Sequence, residues 1–314
     1  MHHKVVIVSG RASRPLAEKI ASYYGTQLGS VTFTRFADGE FQVSFDETVR
    51  GTEMFIVQST HPPVENLFEL LLMIDAAKRA SARHIHAVIP YFGFARQDRK
   101  DKPRVAIGAK LIATLLQAAG IDRIITIDLH ADQIQGFFDV PVDHLFGTSV
   151  FIPYILKLGL DPLVVVSPDT GGTKRVNAYA KILNCNMAIC YKHRAKPNQV
   201  NDMMLIGDVR NKHVFLIDDI LDTAGTMVKA AELMVENGAK SVRTFCTHGL
   251  FSEDAYEKID NSPIEEVIVT DTIYRKHKSS KVKVLSVAEL LADVIQRNIK
   301  CESISTHFKF NTYI

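Results

Sequence analysis

The sequence predicts an α/β fold built on parallel sheets, and two observations support this prediction. Short β-branched runs recur along the 314 residues, and each is followed by a stretch with helical periodicity. Apolar runs of this length, bounded by polar or turn residues, are typical of strands buried on both faces. The eight clearest runs cover residues 4–8, 54–57, 85–89, 124–127, 163–166, 214–217, 242–246 and 267–269.

Helical periodicity marks several of the segments between these runs. Apolar residues recur at spacings of three and four, which predicts amphipathic helices packed against the sheets. The three clearest groups are Leu67, Leu70, Leu71 and Ile74, then Leu111, Leu115 and Ala118, then Ala230, Leu233 and Met234. Asn237-Gly238 follows the last group and predicts a helix that ends at a glycine.

One segment departs from the alternation of strands and helices. Residues 31–36 and 40–45 alternate between apolar and polar side chains, and they flank Ala37-Asp38-Gly39. Asp-Gly between alternating segments is the strongest short signal for a β-hairpin, because both residues tolerate the backbone of a tight turn. We therefore predict a β-hairpin or protruding flap in the first half of the chain.

Length and composition limit the class of protein. At ~150 residues per domain the chain divides into two domains, and we place them at residues 1–148 and 149–314. Lys plus Arg number 37 and Asp plus Glu number 35, so the net charge of +2 does not imply a basic coat for nucleic acid. We therefore expect no nucleic-acid partner.

No apolar run approaches the ~18 residues that a membrane span needs, so we expect no membrane partner. The four cysteines lack C-x-x-C spacing, which indicates buried thiols in a reducing compartment. These two observations predict a cytoplasmic protein.

The most informative segment is residues 214–226, where a buried run leads into polar residues. The strand is expected to end in Asp218-Asp219, and Asp222-Thr223-Ala224-Gly225-Thr226 then opens a helix. A helix N-terminus with small residues favours phosphate, and paired carboxylates accept ribose hydroxyls or join a shell around Mg²⁺. For any single Asp, an N-cap or a plain acidic turn is an equally good interpretation.

Two further loops carry residues suited to metal or phosphate. Asp128 and His130 follow a strand and point the same way if the extended conformation continues, so His130 is a candidate ligand of a metal or a phosphate. In Asp169-Thr170-Gly171-Gly172, the glycines permit close approach to a pyrophosphate and Asp169 is suited to Mg²⁺. A hydrogen-bonded loop histidine and a glycine-rich turn are the ordinary alternatives.

Two basic segments are suited to neutralising phosphates. Residues 96–104, which begin with Arg96-Gln97, contain five basic and two acidic side chains. Lys192, Arg194 and Lys196 alternate, so an extended backbone would present them on one face. Solvated surface charge is the usual alternative for both segments.

Together these segments closely resemble class I ribose-phosphate pyrophosphokinases, which are also called phosphoribosyl pyrophosphate (PRPP) synthetases. Residues 214–226 also resemble the PRPP motif of type I phosphoribosyltransferases. The strings that match the synthetases occur in the family's order, at residues 35–40, 90–100, 126–138, 165–172 and 191–194. The resemblance implies two similar phosphoribosyltransferase-like domains, each a mainly parallel sheet flanked by helices. It leaves open whether the C-terminal segment packs back on the first domain.

The resemblance implies a ribose-phosphate diphosphokinase. Such an enzyme transfers the β,γ-diphosphoryl group of ATP to the C1 hydroxyl of D-ribose 5-phosphate, giving PRPP and AMP with the help of Mg²⁺. A nucleobase phosphoribosyltransferase is one alternative, but it would share residues 214–226 without the hairpin and the Arg96-Gln97 loop. A non-catalytic regulatory homologue of the synthetase is another, and it would be expected to lose site residues.

The resemblance also implies a role for individual residues. The catalytic pair is Lys192 and Arg194. The ATP-binding residues are Phe36, Asp38, Glu40, Arg96 and Gln97. The metal-binding residues are His130 and Asp169, and the pyrophosphate loop is Asp169, Thr170, Gly171 and Gly172. The residues that bind ribose 5-phosphate are Arg194, Asp218, Asp219, Asp222, Thr223, Ala224, Gly225 and Thr226.

Family members are homo-oligomers, typically hexamers built from dimers, with inorganic phosphate as an activator. The resemblance leaves open whether the hairpin tip acts across a subunit boundary. The candidate allosteric residues are Arg50, Ser81, Arg83, Ser303 and Ser305. One departure from the family pattern is Pro103, which stands where Ser is common and is expected to stiffen the loop after Arg96.

Overall fold

The computed structural model describes residues 4–193, 202–276 and 278–305. The strands are β1 (Val5–Ser9), β2 (Val31–Arg35), β3 (Phe41–Phe45), β4 (Glu53–Val57), β5 (His84–Ile89), β6 (Arg123–Ile127), β7 (Val142–Leu145), β8 (Leu163–Ser167), β9 (Asn186–His193), β10 (Asp202–Ile206), β11 (His213–Leu221), β12 (Ser241–Gly249), β13 (Glu266–Thr270) and β14 (Val282–Leu285). The helices are α1 (Arg14–Tyr24), α2 (Glu65–Arg79), α3 (Gly108–Ala119), α4 (Thr148–Leu158), α5 (Thr173–Leu183), α6 (Gly225–Glu236), α7 (Ala255–Asp260) and α8 (Ala288–Lys300).

The described residues divide into two compact units. The first contains residues 4–146, Thr272–Tyr274 and Ala288–Ile304, and the second contains the remainder. In the first unit α8 packs against α1. The chain changes unit between Phe146 and Gly147, and α4 begins at Thr148. The boundary expected after residue 148 therefore falls within the first turn of this helix.

The first unit contains a five-stranded sheet in the order β1-β4-β5-β6-β7. All four strand pairs are parallel, so the carboxyl ends of the five strands lie at one edge. Phe55 and Ile56 of β4 are both fully buried, as expected for a strand covered on both faces. The parallel α/β fold predicted from the sequence is confirmed.

The second unit contains a seven-stranded sheet in the order β10-β9-β8-β11-β12-β13-β14. The β9–β10 pair is antiparallel and the other five pairs are parallel. Phe151 of α4, Phe215 of β11 and Phe245 of β12 pack together in its core. Complete burial of a side chain of this size contributes about 1.5–3 kcal/mol.

All eight predicted runs form strands, and the predicted hairpin is formed by β2 and β3, which pair antiparallel. The sequence analysis missed short strands such as β7 and β14. In β14 the apolar residues are interrupted by Lys283, and neither Val282 nor Val284 is buried. This strand therefore lacks the continuous apolar run by which a buried strand is identified. Among the described residues, no helix combines the length and the apolar character needed to cross a membrane.

Candidate active site

The acidic pair Asp218-Asp219 lies within β11, near its carboxyl end. The strand continues to Leu221, so the expectation that it ends at the pair is wrong by two residues. It continues because β12 is equally long, and Ile220 and Leu221 still pair with His248 and Gly249. The pair is therefore held on a rigid, hydrogen-bonded strand.

A cation on the neighbouring helix contacts both carboxylates of the pair. Nη1 of Arg175, on α5, lies 3.1 Å from Oδ1 of Asp219 and 3.4 Å from Oδ1 of Asp218. The side chain of Asp219 is only 6% exposed and that of Asp218 is 23% exposed. Burial raises the pKa of Asp218 well above its ordinary value, the Asp219 carboxylate raises it further, and Arg175 opposes both effects.

Sequence analysis missed Arg175. Its only sequence signal is its position, three residues after Gly172 at the beginning of the helix that follows the glycine loop. Arg175 lies 43 residues before Asp218 and 44 residues before Asp219 in the sequence. Their contact depends on the parallel pairing of β8 with β11.

The loop between β11 and α6 is shaped to present backbone N–H groups. Ala224 is the N-cap of α6, has a left-handed backbone with φ of 60°, and makes no side-chain cap hydrogen bond in the described structure. The carbonyl of Asp222 accepts from Ser252 N–H at 3.0 Å, and that of Thr223 accepts from Lys258 Nζ at 3.4 Å. A β-carbon on Gly225 would come no closer than 4.0 Å to Thr223 Oγ1. The positive end of the helix dipole therefore opens beside the acidic pair.

The loop between β8 and α5 is closed by its own carboxylate. Oδ1 of Asp169 accepts from the N–H groups of Gly171 at 2.8 Å and Gly172 at 3.2 Å. Ser167 Oγ donates to the carbonyl of Asp169 at 2.6 Å, and a β-carbon on Gly172 would stand 2.6 Å from that same Oγ. The glycines are thus needed for loop closure. Their N–H groups donate to a carboxylate, as they would to an anionic ligand.

In the first unit, Phe36, Asp38 and Glu40 lie at the tip of the hairpin formed by β2 and β3, as predicted. The amide of Phe36 donates to the carbonyl of Glu40 at 2.8 Å, and the amide of Glu40 donates to Oδ1 of Asp38 at 3.0 Å. Gly39 has a φ of 99°, which accounts for the glycine in the turn. The Phe36 ring is 48% exposed, and the carboxylates of Asp38 and Glu40 are exposed as well. The tip therefore presents one aromatic face and two acids to solvent.

Arg96 and Gln97 follow β5, at the carboxyl edge of the first sheet. Both side chains are exposed, and the backbone of Gln97 is fixed because its N–H donates to Phe94 at 2.9 Å and its carbonyl accepts from Ala109 at 3.2 Å. A β-carbon on Gly108 would stand 2.6 Å from Oε1 of Gln97. The beginning of α3 therefore packs directly against the Gln97 side chain.

Asp128 and His130 do not continue the strand. β6 ends at Ile127, and Asp128 adopts a φ of 40°, so the two side chains do not share one extended face and that expectation is wrong. The chain turns because the N–H of Asp128 donates to Leu145 at 2.9 Å and the N–H of Leu129 donates to Nε2 of His144 at 2.9 Å. Asp128 is buried whereas His130 is exposed.

The predicted catalytic pair is only partly described. Lys192 lies on β9, one residue before the end of the described strand, opposite Met203 of β10. Arg194 lies outside the described residues, as does Lys196.

Three candidate allosteric residues lie together at the amino edge of the first sheet. Gly51, which follows Arg50, donates its N–H to the carbonyl of Ser81 at 2.8 Å, and Arg83 donates its N–H to Thr52 at 2.9 Å. β4 and β5, which begin beside these residues, are five and six residues long, so this edge is about 16 Å from the carboxyl edge. The backbone carbonyl of Ser303 accepts from Arg297 Nη1 at 3.1 Å, and Ser305 is exposed.

The part of the chain that the structure describes contains no cluster of three or more His, Cys, Asp or Glu side chains arranged to hold a metal ion. This finding is compatible with Mg²⁺, which is usually bound through one or two carboxylates together with substrate phosphates. Asp169, Asp218 and Asp219 supply oxygen donors of this kind.

Comparison with known proteins identifies relatives over almost the whole chain. Residues 5–120 match the family described as the N-terminal domain of ribose phosphate pyrophosphokinase, and residues 192–309 match the phosphoribosyl synthetase-associated domain. A ribose-phosphate pyrophosphokinase of Porphyromonas gingivalis is 59% identical over 97% of this chain and 97% of its own length. One from Thermotoga maritima is 50% identical over 98% of this chain and 99% of its own length.

A solved structure is similar over the same extent. The crystal structure of phosphoribosylpyrophosphate synthetase from Mycobacterium smegmatis superposes with a TM-score of 0.90 and 39% sequence identity. The similarity covers 95% of this chain and 99% of the other.

Proposed function

We infer that this chain, which belongs to the ribose-phosphate pyrophosphokinase family, makes PRPP and AMP from ATP and D-ribose 5-phosphate. One observation carries the inference within the structure. Asp219, which is buried, and the partly exposed Asp218 lie near the carboxyl end of β11, five residues before Ala224, the N-cap of α6. This arrangement suits a sugar phosphate, because the carboxylates accept from hydroxyls while the helix end receives the phosphate.

In the proposed arrangement, Asp218 and Asp219 accept hydrogen bonds from the ribose hydroxyls. Asp222, Thr223, Ala224, Gly225 and Thr226 would bind the 5-phosphate. Supporting this, the N–H groups at the beginning of α6 point out of the helix and Ala224 already has the backbone of a tight turn. Arg175 keeps the acidic pair oriented, since it contacts both carboxylates from α5.

In the proposed reaction, the ribose C1 hydroxyl attacks the β-phosphorus of ATP, the bond from this phosphorus to the α-phosphate oxygen breaks, and AMP leaves. This chemistry depends mainly on alignment and on neutralising charge. We assign Lys192 and Arg194 as the catalytic cations that stabilise the diphosphoryl group in transit. Arg96 and Gln97 would hold ATP, and Phe36 would stack on its adenine while Asp38 and Glu40 accept from the exocyclic amine.

We propose Mg²⁺ as the cofactor, with Asp169 and His130 among the residues that contact the metal or its phosphates. Asp169 has one oxygen engaged by Gly171 and Gly172, which leaves its second oxygen for a cation. When bound, Mg²⁺ would neutralise phosphate charge and align the phosphates. Residues 169–172 would then form the pyrophosphate loop, with Thr170 and Gly171 exposed at its rim.

We further propose that the first unit serves ATP and the second serves ribose 5-phosphate. Assembly into hexamers built from dimers, and activation by inorganic phosphate through Arg50, Ser81, Arg83, Ser303 and Ser305, are proposals on the same basis. The first three lie at the amino edge of the first sheet, opposite the carboxyl edge that carries Arg96 and Gln97, and this placement supports a regulatory role. We place the reaction in the cytoplasm, where both substrates occur, and all four cysteines are free thiols as that compartment requires.

The decisive experiment measures AMP released by the purified full chain with ATP, Mg²⁺ and phosphate, in the presence and absence of ribose 5-phosphate. We expect AMP only when ribose 5-phosphate is present, together with an equal amount of PRPP. The same preparation should form no nucleotide from PRPP and a nucleobase without ATP. Nucleotide formation in that second assay would favour a phosphoribosyltransferase, and inactivity in both would favour a regulatory homologue.

A further inference from the structure

Arg11 joins parts of the first unit that are far apart in the sequence. It begins the short 3₁₀ helix after β1, and its Nε donates to Oε2 of Glu69 on α2 at 2.6 Å. Its backbone N–H donates to Oε1 of the same carboxylate. Its guanidinium carbon lies 5.3 Å from the ring centre of Phe33 on β2 and 5.4 Å from that of Phe41 on β3. One side chain therefore connects the β1 loop, α2 and both strands of the hairpin.

The carboxylate of Glu69 fixes the position of this arginine. Glu69 is only 1% exposed, and Gln58 Nε2 donates to its Oε1 at 3.1 Å. A buried carboxylate is costly unless donors surround it, so Glu69 strongly favours the rotamer of Arg11 in which Nε adds a second donor to the backbone N–H. In this position the guanidinium carbon lies over the rings of Phe33 and Phe41, whose faces attract a cation.

Arg11 contacts the hairpin close to its tip. Phe41 pairs with Arg35, and this is the last strand pair before the turn formed by residues 36–40. The inner face of the hairpin packs on the core through Phe33 and Phe41 among others, whereas the alternate residues Thr34 and Gln42 are exposed. The orientation of the tip is thus set by contacts of the inner face, and Arg11 holds the end of that face nearest the tip.

We propose that Arg11 is a positioning residue that holds the hairpin tip, with Phe36, Asp38 and Glu40, in the orientation that receives the adenine of ATP. This rests on the proposed function of the tip. Arg11 need not contact ATP, because it acts through Phe33 and Phe41. Its substitution should therefore weaken ATP binding and leave the ribose 5-phosphate site unchanged.

The first test measures amide hydrogen exchange over residues 31–45 in the ligand-free full chain. We expect Arg11→Gln to speed exchange at Phe36, whose amide donates to Glu40, by about tenfold, and to leave Val57 of β4 unchanged. Arg14→Gln is the matched control, since Arg14 lies three residues away in an exposed ion pair with Glu18. Unchanged exchange in Arg11→Gln overturns the anchoring role, whatever the kinetics show.

The second test separates KM for ATP from the other kinetic parameters. Arg11→Lys keeps a cation for Glu69 but loses the planar faces, and Phe41→Leu keeps apolar volume but loses the ring. We expect each to raise KM for ATP about fivefold, with kcat and KM for ribose 5-phosphate within about twofold. The double variant should be no worse than the more severe single variant, because both remove one contact. Additive effects, or an equal loss in every parameter, contradict the proposal.

The variant Phe36→Ala separates the proposed binding of adenine by the hairpin tip from the proposed anchoring of the tip by Arg11. If it leaves KM for ATP unchanged, the tip does not bind adenine and the proposed function of the hairpin fails, although the exchange data still decide whether Arg11 anchors it. If Phe36→Ala raises KM for ATP and Arg11→Lys does not, the tip binds ATP but Arg11 does not position it.

Discussion

The first unit buries Glu69 beside Arg11, and the second unit buries Asp219 beside Arg175. Glu69 accepts from the backbone and side chain of Arg11 and from Gln58. Asp219 instead shares Nη1 of Arg175 with a second carboxylate, that of Asp218. A carboxylate surrounded by donors stabilises the fold, whereas two carboxylates crowded together repel each other until a ligand supplies cations or hydroxyls. The same pairing of a buried carboxylate with an arginine thus stabilises the first unit and, in the function that we propose, prepares the second for substrate.

The largest expected difference between the two pairs is in activity. Asp219→Asn should lower kcat/KM for ribose 5-phosphate by about 100-fold or more, because a carboxylate oxygen that accepts hydrogen bonds is lost from a preorganised site. Steady-state AMP release measures the effect. Asp208→Asn removes an exposed acid of the same unit, paired with Lys212 at 3.0 Å, and should change activity less than about twofold. Equal losses of activity in Asp219→Asn and Asp208→Asn would contradict a specific role for Asp219 in the reaction.

Glu69→Gln should affect stability more than chemistry. It weakens charge-assisted hydrogen bonds to a carboxylate that is 1% exposed, so the free energy of unfolding should fall by about 2 kcal/mol. Urea unfolding measures the loss, and Glu18→Gln, an exposed acid on α1, is the matched control. If Glu69→Gln unfolds like the unmodified chain, the description of this pair as structural is wrong.

A smaller effect is expected at the phosphate site that we propose in the loop after the acidic pair. Thr226→Ala removes one hydroxyl donor from the first turn of α6 and should raise KM for ribose 5-phosphate about tenfold, with KM for ATP nearly unchanged. Thr226→Ser keeps the hydroxyl and should restore most of the affinity. A rise in KM for ATP alone would assign this loop to the other substrate.

The smallest effect concerns the pH dependence of stability without ligands. The raised pKa of Asp218 means that the folded state holds its proton more tightly than the unfolded state does. This contribution to stability is therefore complete below the pKa of the unfolded chain and is lost as pH rises through the folded pKa. Asp218→Asn, which mimics the protonated acid, should raise the melting temperature at neutral pH while lowering activity.

Calorimetry at pH 5 and pH 8 measures this effect. The stabilisation of Asp218→Asn over the unmodified chain should be larger at pH 8. A destabilised Asp218→Asn chain at pH 8 would show that Arg175 outweighs the repulsion between the two acids.

Local patterns were sufficient to predict the eight strands with apolar runs and the hairpin. Buried strands need apolar runs, and a tight turn needs residues such as Asp38-Gly39, so both leave a signal in neighbouring residues. The direction of His130 was not predictable in this way. It depends on the φ of 40° at Asp128, which is favoured by hydrogen bonds to Leu145 and His144 from a strand that lies more than ten residues away.

By itself, the sequence determined the parallel α/β class, the order of the loops and the family of the chain, because these depend on periodicity and on short ordered strings. Only the tertiary structure decided which charges meet. Arg11 is 58 residues from Glu69, and Arg175 is 43 residues from Asp218. Contacts over such separations arise from sheet order and helix packing. The groups that surround each buried carboxylate then separate the structural anchor at Glu69 from the substrate site that we propose at Asp218-Asp219.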